Sequence, residues 1–541
     1  MISEMKYQRV GAGRVGSVPP LAVDLAATAE RVRRLTEEAL GAQPDPADPD
    51  ALVIQVRFPT GKPTPVRLTL EAAGREPRTQ VLLETDAIPR VPYFFWFMGP
   101  ILRSANRRAL GWAERALRAA EAGEAPPPPP KRPSLAPPAP FGPLQAVSLA
   151  TVCAVTAALT FSGALLSQNA GYVAHAFGAS DTELDTALLI SRAGVLIALV
   201  ASAMADRKGR RTLLLVCLGG VAVANGVGAL APNLAVFTAS QVVLRGFASG
   251  GLIIAGIAAV EEAPEGARAY SVALLGLAGG FGYAFAVTLL PAADLGDNAW
   301  RISFAASALT VLLLPSFARR LVETRRYAQL AARQAPRGRA GEVFDRSYGG
   351  RFSVLVISGF LFAIFAAPSS QLTNAYLKDI RGFSGLDITI FRAITQGFPG
   401  LVGIAIGGRL AETRGRRPVA AGALFAGTAA QMIFFLYGGV SLWLSSAAAI
   451  TLGGIAAPAL GAFSGEMFPT EIRGTANAFL VVAGVTGAAV GLLFTGHLSD
   501  PLGRGEAIAL TGIASLVASL LVLRLPETAD RTLDEVSPSE V

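Results

Sequence analysis

The residues best placed to do chemistry are charged groups repeated at fixed spacing. Asp206-Arg207-Lys208-Gly209-Arg210-Arg211 sets an acid four residues before an arginine, with a glycine between them, and Glu412-Thr413-Arg414-Gly415-Arg416-Arg417 does the same about 205 residues later. Glu261-Glu262-Ala263-Pro264-Glu265-Gly266-Ala267-Arg268 and Glu466-Met467-Phe468-Pro469-Thr470-Glu471-Ile472-Arg473 share a Glu-x-x-Pro-x-x-x-Arg frame. Arg320-Leu321-Val322-Glu323-Thr324 and Arg524-Leu525-Pro526-Glu527-Thr528 form a third pair. Carboxylates and guanidinium groups at neighbouring helix ends pair in bidentate fashion, so the chemistry on offer is a reversible electrostatic latch. An exposed pair is worth about 1 kcal/mol, a scale suited to a contact that must close and open. Arginines that only set topology would need no acids at matched positions, and here the acids repeat too. No nucleophile–base set, metal-ligand spacing or phosphate loop accompanies them, so neither an enzyme nor a bound metal or cofactor is expected. Gly11-Ala12-Gly13-Arg14-Val15-Gly16 has dinucleotide-loop spacing but no βαβ setting.

A second set of polar residues lies inside apolar stretches. Arg245 interrupts Leu244-Arg245-Gly246-Phe247-Ala248, Gln168 and Asn169 follow Ser167, Gln371 and Asn374 follow Ser369-Ser370, and Gln396 follows Thr395. An arginine in mid-membrane costs about 3 kcal/mol on insertion scales, so Arg245 should face a cavity. The amides serve either a solute or hydrogen bonds between helices.

Those stretches are membrane spans. The 541 residues are 52% apolar and 16% charged, too poor in charge for a water-soluble chain. Twelve apolar runs approach the ~20 residues that cross a bilayer: 145–171, 184–205, 212–231, 234–260, 268–290, 300–318, 352–377, 386–408, 418–437, 441–464, 475–496 and 505–525. The expected fold is an all-α polytopic membrane protein, with six-helix bundles over 144–318 and 351–526, a central loop over 319–350 and a tail over 527–541. Lysine and arginine crowd the 2–3, central and 8–9 loops, which assigns those loops and both termini to the cytoplasm of a plasma-membrane protein. The formal charge of +8 therefore reports topology and not nucleic acid binding. Cys153 and Cys217 both lie in apolar runs and leave the redox compartment open. Residues 1–40 contain no secretory signal.

Residues 1–125 read as a small cytoplasmic α+β domain, with helices over 27–41 and 98–122 and strands over 51–58, 64–72 and 78–87. Residues 126–143, with Pro126–Pro130 and five further prolines, read as a semi-rigid polyproline spacer.

The three repeated loops resemble those of the major facilitator superfamily over about 145–536. Pro469-Thr470-Glu471-Ile472-Arg473-Gly474-Thr475 and Pro526-Glu527-Thr528 are similar to its sugar-porter and metabolite-transporter branches. The resemblance implies a monomeric transporter that moves a small polar solute, such as a sugar or carboxylated metabolite, by alternating access. It implies one cytoplasmic network of Asp206, Gly209, Arg210, Arg211, Glu261, Arg268 and Glu323 in the first half. A second, of Glu412, Gly415, Arg416, Arg417, Glu466, Arg473 and Glu527, belongs to the second half. Both would hold the outward-facing state. Gln371 and Asn374 look like the amides that sugar porters offer their ligand. Proton-coupled sugar porters also carry a helix 1 carboxylate, whereas this chain has none from Thr151 to Ala179. Uniport, exchange or an anionic substrate met by Arg245 follow from that departure. Efflux of aromatic compounds remains a second reading, kept by Phe161, Tyr283, Phe285, Phe391 and Phe398, and a non-transporting sensor a third. The N-terminal element order is similar to a polyketide-cyclase or START-like helix-grip domain, which implies a lipid or hydrophobic ligand. An interfacial segment with Tyr93–Met98 against headgroups is the alternative.

Overall fold

The structure, a computed structural model, describes residues 19–531 except 47, 57–63, 73–78, 86–90, 132, 134–135, 180–182, 184–186, 188–189, 325–326, 328–345, 374–375, 384, 470–471 and 530. It forms two compact units, Met1–Ala150 and Thr151–Val541.

The first unit is built from β1 (Leu21–Leu25), α1 (Ala29–Leu40), β2 (Gln43–Asp45), β3 (Asp48–Val56), β4 (Thr64–Ala72), β5 (Thr79–Thr85) and α2 (Phe95–Glu121). All pairings are antiparallel and the order is β1-β5-β4-β3-β2. Alternate residues of β3, β4 and β5 (Ile54, Val56, Val66, Leu68, Val81, Leu83) point into a core closed by Val32 of α1 and by Ala109, Leu110, Ala113 and Leu117 of α2. α1 starts at Thr28, whose hydroxyl accepts from the Arg31 N–H, and stops at Gly41 in the left-handed region. The sheet has five strands where alternation predicts three. β1 and β2 are too short to show a period, and β1 gains its partner, β5, only through a contact between residues distant in sequence.

The proline-rich stretch departs from a free spacer. Trp112 Nε1 donates to the Pro127 carbonyl at 3.0 Å and Arg108 Nη1 to the Lys131 carbonyl at 2.8 Å, so residues 127–131 run antiparallel along α2. A polyproline segment has unpaired carbonyls, and the indole and guanidinium of α2 supply their donors.

The second unit is helical: α3 (Pro143–Phe177), α4 (Val195–Lys208), α5 (Arg210–Ala229), α6 (Leu234–Glu262), α7 (Arg268–Thr288), α8 (Arg301–Ala308), α9 (Leu314–Arg320), α10 (Arg346–Gln371), α11 (Gly385–Arg392), α12 (Phe398–Arg414), α13 (Arg416–Leu436), α14 (Val440–Glu466), α15 (Arg473–Leu502) and α16 (Arg504–Val522). Tight 3-10 turns over Leu309–Leu313 join α8 to α9, and a wider π turn over Ala393–Gly397 joins α11 to α12. Among the described residues eleven helical stretches are long and apolar enough to cross a membrane. The remaining expected span, 184–205, is represented by a 3-10 turn over Arg192–Gly194 and by α4, which is 14 residues long and runs on to Lys208, while most of 184–189 lies outside the described residues. Leu230, Leu312, Leu493 and Phe494 are each at least 60% exposed, which suits lipid as the solvent of the outer surface. Inside, Phe237, Trp300 and Phe304 stack edge to face in the first half, and Phe434 packs at a tilt against both Tyr376 and Phe391 in the second.

Trp112→Phe keeps the apolar contact and removes the donor to Pro127. It is expected to cost about 1 kcal/mol and to speed proteolysis between residues 122 and 143. Unaltered cleavage in a limited-digestion time course would show that the clasp contributes nothing.

Candidate functional site

The site begins with two glycines. α4 ends at Gly209 and α12 at Gly415, with φ of 94° and 95°, a region that side chains other than glycine enter at a cost. In each case an added Cβ would fall on a glutamate carboxylate, that of Glu323 at Gly209 and of Glu527 at Gly415. Those carboxylates cap the following helices. Glu323 accepts from the backbone N–H of Arg210 (2.8 Å) and Arg211 (3.3 Å), and Glu527 from those of Arg416 (2.9 Å) and Arg417 (3.1 Å). Burial acts against the charge of Glu527, but the N–H groups of Ala529, Arg416, Arg417 and Thr528 prevail and hold its carboxyl below the usual range. Arg211 completes the seam by donating to the carbonyls of Leu321 (2.8 Å) and Ala318 (2.7 Å).

Four acids and four arginines then meet at the helix ends. Arg210 pairs with Asp206 at 3.2 Å and with Glu261 at 3.3 Å; Arg416 pairs with Glu412 and with Glu466, each at 3.0 Å. Arg473 Nη1 lies 2.5 Å from Glu261, and Arg268 Nη1 lies 3.5 Å from Glu466. Every one of these eight side chains is at most 6% exposed.

The grouping by halves is therefore corrected. Arg268, expected in the first-half network, pairs with Glu466 of the second, and Arg473, expected in the second, pairs with Glu261 of the first. Each arginine opens a helix, α7 or α15, that packs against the other half: Gly408 of α12 meets Ala273 and Tyr270 of α7, and Gly474 of α15 meets Ser202 of α4. A side chain at such a helix start is delivered across the interface. The acids follow the same path. Asp206 accepts from the N–H groups of Gly474 (3.0 Å) and Thr475 (2.9 Å), and Glu412 from that of Ala269, so each caps a helix of the opposite half.

Several partners carried no repeat by which to find them. Ser202 donates to the Gly474 carbonyl at 2.8 Å, Tyr327 to that of Arg207 at 2.8 Å, and the Arg210 guanidinium lies 5.3 Å from the Tyr327 ring centre. Arg268 also donates to the carbonyl of Arg531, so the chain beyond α16 returns to the latch.

The membrane residues are arranged less regularly. Positions 245, 249, 252, 256 and 260 recur at helical spacing on one face of α6. Val260 at the end of that face packs against Gly465 of α14, and a Cβ at Gly256 would meet open space. Arg245 thus lies on the face of α6 whose far end meets the second half; it is exposed, and Arg192, just ahead of α4, lies within electrostatic reach. Gln168 Nε2 donates to the Tyr283 hydroxyl at 2.7 Å, and Gln396 Oε1 accepts from Arg392 Nε at 2.9 Å. Arg192 and Arg392 also fall inside the expected spans 184–205 and 386–408, two further cations beside Arg245. Asn169 is fully buried and donates to the Leu165 carbonyl of its own helix. Asn374 and the Gln371 side chain lie outside the described residues. Of the five aromatic residues that keep an efflux reading, Phe161 and Phe391 are buried in the helix packing, while Tyr283, Phe285 and Phe398 are exposed.

A latch duplicated in two helical halves around a polar interior is matched by a family profile. The Major Facilitator Superfamily profile covers residues 150–398 and 388–539. The chain belongs to the major facilitator superfamily. It is an integral membrane solute transporter with that superfamily's fold, as the resemblance of its loops led us to expect. Over 357 residues it is 24% identical to the "Probable 4-methylmuconolactone transporter" of Cupriavidus pinatubonensis, an alignment spanning 63% of this chain and 80% of that protein. Solved structures with the same fold include the human organic anion transporter MFSD10, at 18% identity and a TM-score of 0.58 over 70% of this chain and 99% of that one. The proton:xylose symporter XylE, also at 18% identity and a TM-score of 0.58, covers 72% of this chain and is covered over 98% of its own.

In this transporter Glu261→Gln leaves Arg210 and Arg473 buried around a neutral amide. Breaking a buried pair costs about 3–5 kcal/mol, so the closed state should lose its advantage. With Cys153 and Cys217 replaced by alanine, a Ser202→Cys thiol is expected to react with a water-soluble maleimide at least tenfold faster in the Glu261→Gln background. Equal labelling rates would remove the latch claim.

Proposed function

We propose that this transporter carries a small polar organic solute bearing an anionic group, by alternating access between its two halves. The observation that carries the reading is Arg245: an exposed arginine in mid-helix, on the face of α6 whose far end meets the other half, that makes no ion pair among the described residues. A cation kept in that setting is best accounted for by a substrate that supplies its counter-charge. The names of two relatives, a methylmuconolactone transporter and an organic anion transporter, support a metabolite or anion in this role. A sugar-like solute is the second reading, favoured by the Gln168–Tyr283 hydrogen bond, a ready-made partner for hydroxyl groups.

The latch is the gate. Its arginines and lysines lie in the loops that the positive-inside rule assigns to the cytoplasm, so a closed latch corresponds to a molecule shut on the cytoplasmic side, with both termini in the cytoplasm of a plasma-membrane protein. Opening requires the Arg473–Glu261 and Arg268–Glu466 pairs to part, and substrate biases that equilibrium through its differential affinity for the two states. Movement along a gradient or exchange of one solute for another fits a first helix without a carboxylate. Nothing in this cycle calls for a catalytic group, a cofactor or a second copy of the chain.

Proteoliposomes supplied with a panel of carboxylates and neutral sugars test the substrate class. Carboxylate uptake or exchange is expected, and Arg245→Gln should weaken it at least tenfold while Arg245→Lys retains part. Sugar transport indifferent to Arg245→Gln would favour the second reading. Flux of neither kind that responds to Asp206→Ala would overturn transport through this gate.

A further inference from the structure

α2 is longer than the sheet it covers. Its 27 residues span about 40 Å, whereas no strand exceeds nine residues, or about 30 Å. Only residues from Ala109 onward enter the core cluster; of the stretch 95–108 Met98 and Gly99 are buried, and Trp96, Pro100, Arg103, Arg107 and Arg108 are exposed.

That first half has a distinctive surface. From Val91 to Ala113 the sequence contains Arg103, Arg107 and Arg108 and no acid. The three arginines are exposed and, with Pro100 and Ser104, line a pocket of about 380 Å³ along positions i, i+3, i+4, i+7 and i+8 of one helical face. Trp96, one turn before the pocket, is 67% exposed, and Arg103 lies 5.5 Å from the Phe95 ring centre. Beyond the pocket the charges are already matched: Glu114 pairs with Arg118 at 3.2 Å, and Glu121 accepts from the Ala26 N–H.

An exposed tryptophan beside a cluster of arginines is what a lipid–water interface binds, the indole at headgroup level and the guanidinium groups on phosphate. We propose that residues 95–108 of α2 form a docking face for an anionic lipid surface, with a headgroup phosphate held by Arg103, Arg107 and Arg108 and Trp96 inserted beside it. A bilayer is always at hand, because the chain itself spans one. The ligand of the N-terminal unit is thus a membrane met on the outside of the helix, whereas a helix-grip reading would enclose a ligand between helix and sheet.

Amide hydrogen exchange of the full-length transporter in lipid nanodiscs tests this. Exchange over 95–108 is expected to slow at least tenfold when phosphatidylglycerol replaces part of the phosphatidylcholine, and high salt should reverse the effect. Each arginine removed, in Arg103→Gln and Arg103→Gln/Arg107→Gln, should weaken the protection about fivefold. Trp96→Ala should weaken it too, while exchange in β4 and β5 reports that the fold is intact. Equal exchange in the two lipid compositions would overturn the proposal. So would protection by inorganic phosphate in phosphatidylcholine discs without any response to phosphatidylglycerol, which would make the pocket a site for a soluble anion.

Discussion

Everything in the membrane unit turns on how eight buried charges are shared. Four carboxylates and four guanidinium groups stand almost out of water at the ends of eight helices, and neither half is neutral in its own contacts. The cost of burying such groups is large, and mutual attraction repays it only when partners and hydrogen bonds are all in place. The glycines at 209 and 415, the proline turns after α6 and α14, and the capping glutamates at 323 and 527 can each be understood as means of bringing those partners within 3.5 Å. A cluster assembled this way stabilises the arrangement only modestly once desolvation is counted, a scale that fits the gate proposed above.

Much of this was legible in the chain. Recurrence of acid and arginine together, at a constant offset, marked the latch residues, and long apolar runs between basic loops marked the spans. What spacing could not convey was the destination of Arg268 and Arg473. Both lie beside their own half's acids in sequence, and only the packing of α7 on α12 and of α15 on α4 carries them across. The contributions of Ser202 and Tyr327 were hidden for the related reason that a single hydroxyl leaves no pattern. Within the spans, Arg245 stood out because a lone charge in an apolar helix is conspicuous. Arg192 and Arg392 did not, although both fall inside the expected spans.

The N-terminal unit was legible in a different way. Alternation identified β3, β4 and β5, and the amphipathic stripe identified α2, because those elements are long enough to have a period. β1 and the proline stretch owe their structure to partners elsewhere: β5 for the one, Trp112 and Arg108 for the other. Composition alone read the prolines as a spacer, and it could not register that α2 supplies donors for their carbonyls.

The reciprocity of the latch carries a last consequence. Each half offers a carboxylate cluster and extends one arginine, and each receives the other's arginine in return. A contact that maps onto itself when its two sides are exchanged is the kind that two identical chains make about a twofold axis. The membrane unit thus makes, within a single polypeptide, the kind of contact that a symmetric dimer makes. Its interior, with an arginine at 245 and isoleucine at the matching position 450, has abandoned that symmetry.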